Sequence, residues 1–231
     1  MIRALCALVL LAALAPDLLA QQPRRQPHGR LFPPQDLGLL EAPDRDIWQR
    51  PDEIMDELGI AEASVVADVG AGSGWFTIRL ARRVGPNGVV YAQDVQPEML
   101  AAISRRVAAE GLLNVRPVLG TTTDPQLPPG TMDAVLLVDA YHEIVDRVTL
   151  LGHLARALKP GGRLGVIDFK LDGGGPGPPL EERVGPGAVV SDAREAGLRL
   201  LAQPTFLPYQ YFLIFGPEQK APTLLTRPRA R

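Results

Sequence analysis

Val66-Ala67-Asp68-Val69-Gly70-Ala71-Gly72-Ser73-Gly74-Trp75-Phe76 is the stretch on which the reading of this chain turns. Its first half is β-branched and apolar, the composition of a strand buried on both faces. Its second half holds three glycines in five residues, which let a backbone turn sharply and approach a ligand closely. A helix follows, with apolar residues at Phe76, Ile78, Leu80, Ala81 and Val84. The spacing is Gly-x-Gly-x-Gly, with Trp75 where a dinucleotide fingerprint requires its third glycine. About twenty residues on, Val89-Val90-Tyr91-Ala92-Gln93-Asp94 ends a second strand in an acid, which in such units accepts hydrogen bonds from ribose hydroxyls. No Gly-x-x-x-x-Gly-Lys-[Ser/Thr] occurs anywhere, which disfavours a nucleoside triphosphatase.

The pattern continues on both sides of the loop. Asp46 to Leu58 reads as one short helix or two around Pro51, and Ser64 to Val69 as the first strand. After Val89 to Gln93 come a helix over Pro97 to Glu110, a strand over Asn114 to Leu119 and another over Met132 to Val138. Glu143 to Leu158 has helical spacing and stops at Lys159-Pro160-Gly161-Gly162, ahead of a fifth strand over Arg163 to Asp168. Beyond a Gly- and Pro-rich linker, Ala188 to Ala196 reads as a helix, and Leu198 to Thr205 and Tyr209 to Phe215 as a closing hairpin. Strands alternating with helices imply right-handed crossovers and a mostly parallel sheet covered on both faces. The expected architecture is therefore α/β, with seven strands.

Composition bounds the function. Of the 231 residues, 46% are hydrophobic and 22% charged, which is ordinary for a globular domain. Residues 1–20 combine a cationic start, an apolar run from Ala4 to Ala15 and a small residue at Ala20. These are the parts of a secretory signal cleaved after Ala20, with export to the periplasm as its consequence and an uncleaved anchor as the alternative. Its removal leaves 211 residues, enough for one α/β domain and tight for two, and no later segment reaches about 18 uninterrupted apolar residues, which excludes a polytopic membrane protein. Residues 21–46 read as an extended lead-in, 47–216 as the folded domain and 217–231 as a basic tail. The net charge is −2, and the arginines cluster only at the two ends, which argues against a nucleic-acid partner. The single cysteine, Cys6, lies in the signal, so a mature protein has no disulfide and no thiolate nucleophile.

The end of the fourth strand concentrates reactive groups. Val138-Asp139-Ala140-Tyr141-His142-Glu143 packs an acid, a phenol, an imidazole and a second acid into five residues, at the strand end where α/β sites form. His142 is the candidate general base, or else it caps the following helix. Tyr141 orients the acceptor, or else it is a core aromatic. His28 falls in the lead-in and His153 mid-helix with no ligand partner at useful spacing, and no cluster suggests a metal. Trp48, Phe206, Pro208, Tyr209 and Tyr211 are candidates for lining an acceptor pocket.

Taken in order, the glycine loop, Asp94, the segment Leu158-Lys159-Pro160-Gly161-Gly162-Arg163-Leu164 and the closing hairpin resemble the class I S-adenosylmethionine-dependent methyltransferases. The likeness runs from about Trp48 to Phe215, and is greatest to small bacterial members that carry an export signal. It implies a Rossmann-like sheet ending in an antiparallel strand, S-adenosylmethionine as cofactor and a small-molecule acceptor. It also implies that Gly70, Gly72 and Gly74 pass under the methionine part, that Asp68 lies near its amino group and that Asp94 holds the ribose. Asp124, in Gly120-Thr121-Thr122-Thr123-Asp124-Pro125, would contact the adenine amine or simply start a turn, and Asp139 would belong to the cofactor site. The alternatives are a nicotinamide-dependent oxidoreductase and a non-catalytic module that keeps the fold.

Overall fold

The computed structural model describes residues 31–172 and 174–218. Residues 1–20, Cys6, His28 and the tail beyond position 218 lie outside the described residues. The chain enters through a 3₁₀ helix at Pro34–Glu41, then α1 (Arg45–Gln49) and α2 (Pro51–Glu57). Next come β1 (Val65–Val69), α3 (Trp75–Val84), β2 (Val89–Asp94), α4 (Pro97–Ala109), β3 (Val115–Leu119) and β4 (Met132–Val138). A 3₁₀ turn at Tyr141–Glu143 precedes α5 (Arg147–Ala157) and β5 (Leu158–Phe169). The described chain closes with α6 (Pro186–Glu195), β6 (Leu198–Ala202) and β7 (Gln210–Pro217).

The seven strands form one sheet in the order β3-β2-β1-β4-β5-β7-β6. The β1–β2, β1–β4, β2–β3 and β4–β5 pairs are parallel, while β7 runs antiparallel to both β5 and β6. Strand order therefore reverses between β1 and β4, and the crevice outside their carboxyl ends is where sheets of this kind take ligands.

Alternation along the strands divides the core between the two faces. Ala67, Val69, Val135 and Leu137 pack with Leu150, Leu151 and Leu154 of α5 and with Val189 and Ala193 of α6. Val66, Ala134 and Leu136 pack on the other side with Ile54 and Met55 of α2 and with Phe76 and Leu80 of α3. Among the described residues no helix is long and apolar enough to cross a membrane.

Three expectations change. Residues 34–41, expected as extended lead-in, form the 3₁₀ helix, while the helical stretch around Pro51 takes the two-helix form of the two anticipated. These two helices meet at Arg50, whose left-handed backbone (φ 49°) breaks them ahead of Pro51. The helix expected from Glu143 begins at Arg147, because Tyr141–Glu143 tighten into 3₁₀ and Asp146 caps the new start by accepting from the Thr149 N–H at 3.2 Å. Finally, β5 begins at Leu158, which pairs with Met132 across an irregularity in register.

Candidate functional site

A pocket opens at the β1/β4 switch point. Its floor is Asp68, Val69 and the loop Gly70–Ser73, and its walls include Trp75, Gln93, Asp94, Gln96, Val138, Asp139 and Glu143. Gly70 and Gly72 both take positive φ, 68° and 54°. A Cβ on Gly70 would lie 2.8 Å from the Ala140 Cβ, so β1 and β4 approach closely only because the loop has no side chain there. Asp94 holds the loop from the neighbouring strand: one oxygen accepts from the Gly72 N–H at 2.9 Å, the other from the Gln96 N–H at 3.0 Å. Asp94 itself lines the pocket. Asp68 accepts from the Thr77 hydroxyl at 2.6 Å.

The lead-in crosses the mouth. Leu31, Phe32, Leu40 and Arg45 all line the pocket. The Phe32 N–H donates to Glu143 at 3.3 Å and its carbonyl accepts from the Gln96 side chain at 3.0 Å, so this strap is pinned to both rims. Arg45 is buried beneath it and donates to Gln49, to the Leu40 carbonyl and to Asp139, at 2.5, 2.6 and 3.1 Å. Gln49 and Gln210 donate to Asp139 as well, and Gln49 also donates to Gln210. Asp139 itself holds a left-handed backbone at φ 55°, a conformation that Asp tolerates better than most residues. The guanidinium groups of Arg45 and Arg79 lie 4.4 and 3.5 Å from the Trp75 ring centre, which makes Trp75 a platform for the strap.

The expected site residues separate into two groups. Asp68, Gly70, Gly72, Asp94 and Asp139 converge on the pocket, while Gly74 stands just behind it as the positive-φ cap of α3, packed against Ile103. Asp124 is a correction. It does not line this pocket: its carboxylate accepts from the Gln126 N–H at 2.8 Å and faces His153 at 3.4 Å, and Thr121 and Thr122 line the wall instead. The turn-forming preference of an Asp before a proline prevails there.

Tyr141 and His142 also stand back. Tyr141 is fully buried and donates to Asp192 at 2.6 Å, which makes it a core aromatic with a satisfied hydroxyl. His142 turns its Nδ1 to the buried Asp168 at 3.0 Å and does not line the pocket. Trp48 packs on Phe169 and Tyr209 rather than on a ligand space. Sequence reasoning missed Arg45, Gln49, Gln210 and the strap residues, whose partners lie as far as 161 positions away.

Burial shapes the charges. Desolvation pushes Asp68 and Asp139 up to about 6, although the Thr77 hydroxyl and Arg45 pull the first down and Arg45 pulls the second down. Glu143 is pushed up to about 7, again chiefly by burial. Burial lowers His142, but the hydrogen bond and charge of Asp168 outweigh it, and the net shift is upward. A group whose pKa rises on folding holds its proton more tightly when folded, so its stabilisation is present at low pH and lost as pH climbs through the folded value. For the three carboxyls that window opens near an unfolded value of about 4, and closes at about 6 for Asp68 and Asp139 and about 7 for Glu143. His142 acts in the same direction above 6.5. The ligand-free protein is therefore expected to melt at a higher temperature near about pH 5 than near about pH 8. Asp139→Asn should flatten the lower part of that slope, and a profile that rises toward pH 8 in calorimetry would contradict the assignment.

The fold and site together define a class: an α/β protein that binds a nucleoside-bearing ligand across the switch point of a seven-stranded sheet. Comparison with known proteins narrows it. Residues 66–162 match the family model described as a methyltransferase domain. A solved S-adenosylmethionine-dependent methyltransferase from Aquifex aeolicus is 31% identical, covers 80% of this chain and 98% of its own, and superposes with a TM-score of 0.76. Among curated relatives, a ubiquinone/menaquinone biosynthesis C-methyltransferase from Pasteurella multocida is 32% identical over 132 residues, 57% of this chain and 48% of the relative. An uncharacterized methyltransferase from Mycobacterium tuberculosis is 40% identical over 122 residues, 51% of this chain and 44% of the relative. The chain spans about half the length of the curated relatives it matches. It belongs to the S-adenosylmethionine-dependent methyltransferases.

The residues present fit that cofactor. The Ser73 hydroxyl is buried in the glycine loop with no partner among the described residues, and a Cβ at Gly70 or Gly72 would meet Ala140 or Leu40 at 2.8 or 3.2 Å, so the floor of the pocket is bare backbone. The acids Asp68 and Asp94 suit an ammonium group and a ribose diol, respectively.

Proposed function

We propose that this protein transfers a methyl group from S-adenosylmethionine to a small-molecule acceptor. The observation that carries the reading is the Asp94 carboxylate, held by two backbone N–H groups beside a glycine floor and turned into the switch-point pocket. When bound, the cofactor supplies a methyl group activated on a sulfonium. Gly70 and Gly72 would pass beneath its methionine part, Asp68 would meet its ammonium and Asp94 its ribose. The task left to the protein is alignment and exclusion of water, since in-line displacement depends mostly on holding the reactants in geometry. The strap at Phe32 and Leu40 supplies the cover.

Isothermal titration of the full chain with S-adenosylmethionine and with NADH tests this. Binding of the first alone supports the reading, and binding of neither overturns it. Binding without methyl transfer to any member of a panel of small phenols, hydroquinones and amines would favour a non-catalytic module. The Pasteurella relative is named for quinone biosynthesis, so ring compounds head that panel.

We further propose that residues 1–20 direct export, on the strength of their cationic start and apolar run. A mature N-terminus at position 21 in a fractionated host supports this, and retention of Met1 in the cytosol overturns it.

A further inference from the structure

The pocket holds four carboxyl groups, and their surroundings differ. Asp139 has both oxygens engaged, one by Arg45 and Gln49 and the other by Gln210. Asp94 has both engaged by backbone N–H groups. Asp68 is nearly sealed, at 3% exposure, and tied to Thr77. Glu143 is different. Its Oε2 accepts from the Phe32 N–H at 3.3 Å, while its Oε1 has no hydrogen-bond donor among the described residues, and the side chain keeps 18% exposure at the pocket wall.

Behind Glu143 stands a fixed base. Asp168 accepts from the His142 N–H at 3.0 Å, faces Nδ1 of the same imidazole at 3.0 Å and is itself fully buried. That anchoring turns Nε2 toward Glu143 Oε1, at 3.9 Å. The separation exceeds a hydrogen bond, but an imidazolium at that range still acts on the carboxyl by charge.

Building on the methyltransferase reading, we propose that Glu143, rather than His142, is the group that takes the acceptor's proton, with the Asp168–His142 pair as the positioning device behind it. The acceptor's X–H bond breaks and its proton passes to Glu143 Oε1. The pair left on X forms the new bond to the methyl carbon, and the carbon–sulfur pair stays on sulfur, which becomes a neutral thioether. The proton then leaves Glu143 for solvent. Geometry favours the assignment, because Glu143 borders the ligand space and His142 does not. The charges agree with it. Burial, with Asp94 of β2 and Asp168 of β5, pushes Glu143 up, His142 and the Phe32 N–H pull it down, and the result, about 7, suits a base working near neutrality.

Carbon NMR of the full chain, labelled at glutamate Cδ, tests this without knowledge of the acceptor. One resonance should titrate near neutrality and vanish in Glu143→Gln. Its midpoint should rise in His142→Gln, which removes the neighbouring positive charge. Titration of that resonance in the ordinary carboxylate range, or a midpoint indifferent to His142→Gln, overturns the proposal. With any acceptor the protein methylates, Glu143→Gln should lower kcat by about 100-fold or more, while S-adenosylmethionine affinity stays within about threefold. Retention of kcat within about tenfold overturns it. Failure of the cofactor to bind would count against the methyltransferase reading alone, because the titration still decides the state of Glu143.

Discussion

Gly70→Ala is expected to weaken S-adenosylmethionine binding by about 100-fold while leaving the sheet folded. Two costs meet at this position. A residue with a Cβ in the left-handed region costs about 1–2 kcal/mol, and Gly70 sits at φ 68°. The new methyl group would also lie 2.8 Å from the Ala140 Cβ, too close for either backbone to remain where it is. Overpacking of this kind costs about 1–3 kcal/mol. The loop can relieve the clash only by lifting away from β4, which draws Gly72 from Asp94 and tilts the floor of the pocket. Gly111→Ala is the control: its φ is 65°, yet nothing lies within 4 Å of the added carbon. That variant carries the backbone strain alone, and should lose about 1 kcal/mol of stability with cofactor affinity unchanged. Calorimetric titration and thermal melting of the two variants separate the effects. Equal cofactor affinity in Gly70→Ala and wild type would show that the loop does not form the floor.

The parts of the site that could be read in the sequence are the local ones. The glycine loop, the acid ending β2 and the alternation along β1 and β4 are written in neighbouring residues, because turn chemistry and burial of a strand act over a few positions. The seven strands and the closing hairpin follow from the same periodicities, while the antiparallel last strand of the sheet is what the family resemblance implies. The strap was not legible. Residues 34–41 show no apolar period and bury no residue completely; what orders them is Arg45 reaching Asp139 across 94 positions and Gln49 reaching Gln210 across 161. The sequence leaves His142 between general base and helix cap for a related reason. The cluster at 138–143 marks a strand end rich in reactive groups, but which of them turns outward depends on Asp168, a partner on another strand. With Asp168 holding the imidazole inward, the next side chain, Glu143, meets the ligand space.

Arg45→Met is expected to cost about 3–5 kcal/mol of stability, the usual penalty for removing one partner of a buried ion pair. Arg45 is only 8% exposed, and each of its three guanidinium nitrogens donates a hydrogen bond. Without it the Leu40 carbonyl and Asp139 lose a donor each, and Asp139 keeps its desolvation while losing the positive charge that holds its pKa down. Asp139→Asn should cost less, because an amide keeps an acceptor for Gln210 and Asn tolerates the left-handed backbone that this position requires. The double variant should be more stable than the sum of the two losses predicts by about 1 kcal/mol or more, since neither leaves an unpaired charge once both are gone. Chemical unfolding of the four proteins gives the coupling directly, and additive losses would show that the contact carries no energy of its own. Limited proteolysis adds the functional half. Arg45 joins Leu40 to the end of β4, so its loss should expose the strap to cleavage in Arg45→Met while Asp139→Asn remains protected. Cofactor binding should then fall with strap order rather than with global stability, because Leu40 and Phe32 form the cover of the same pocket whose floor is Gly70.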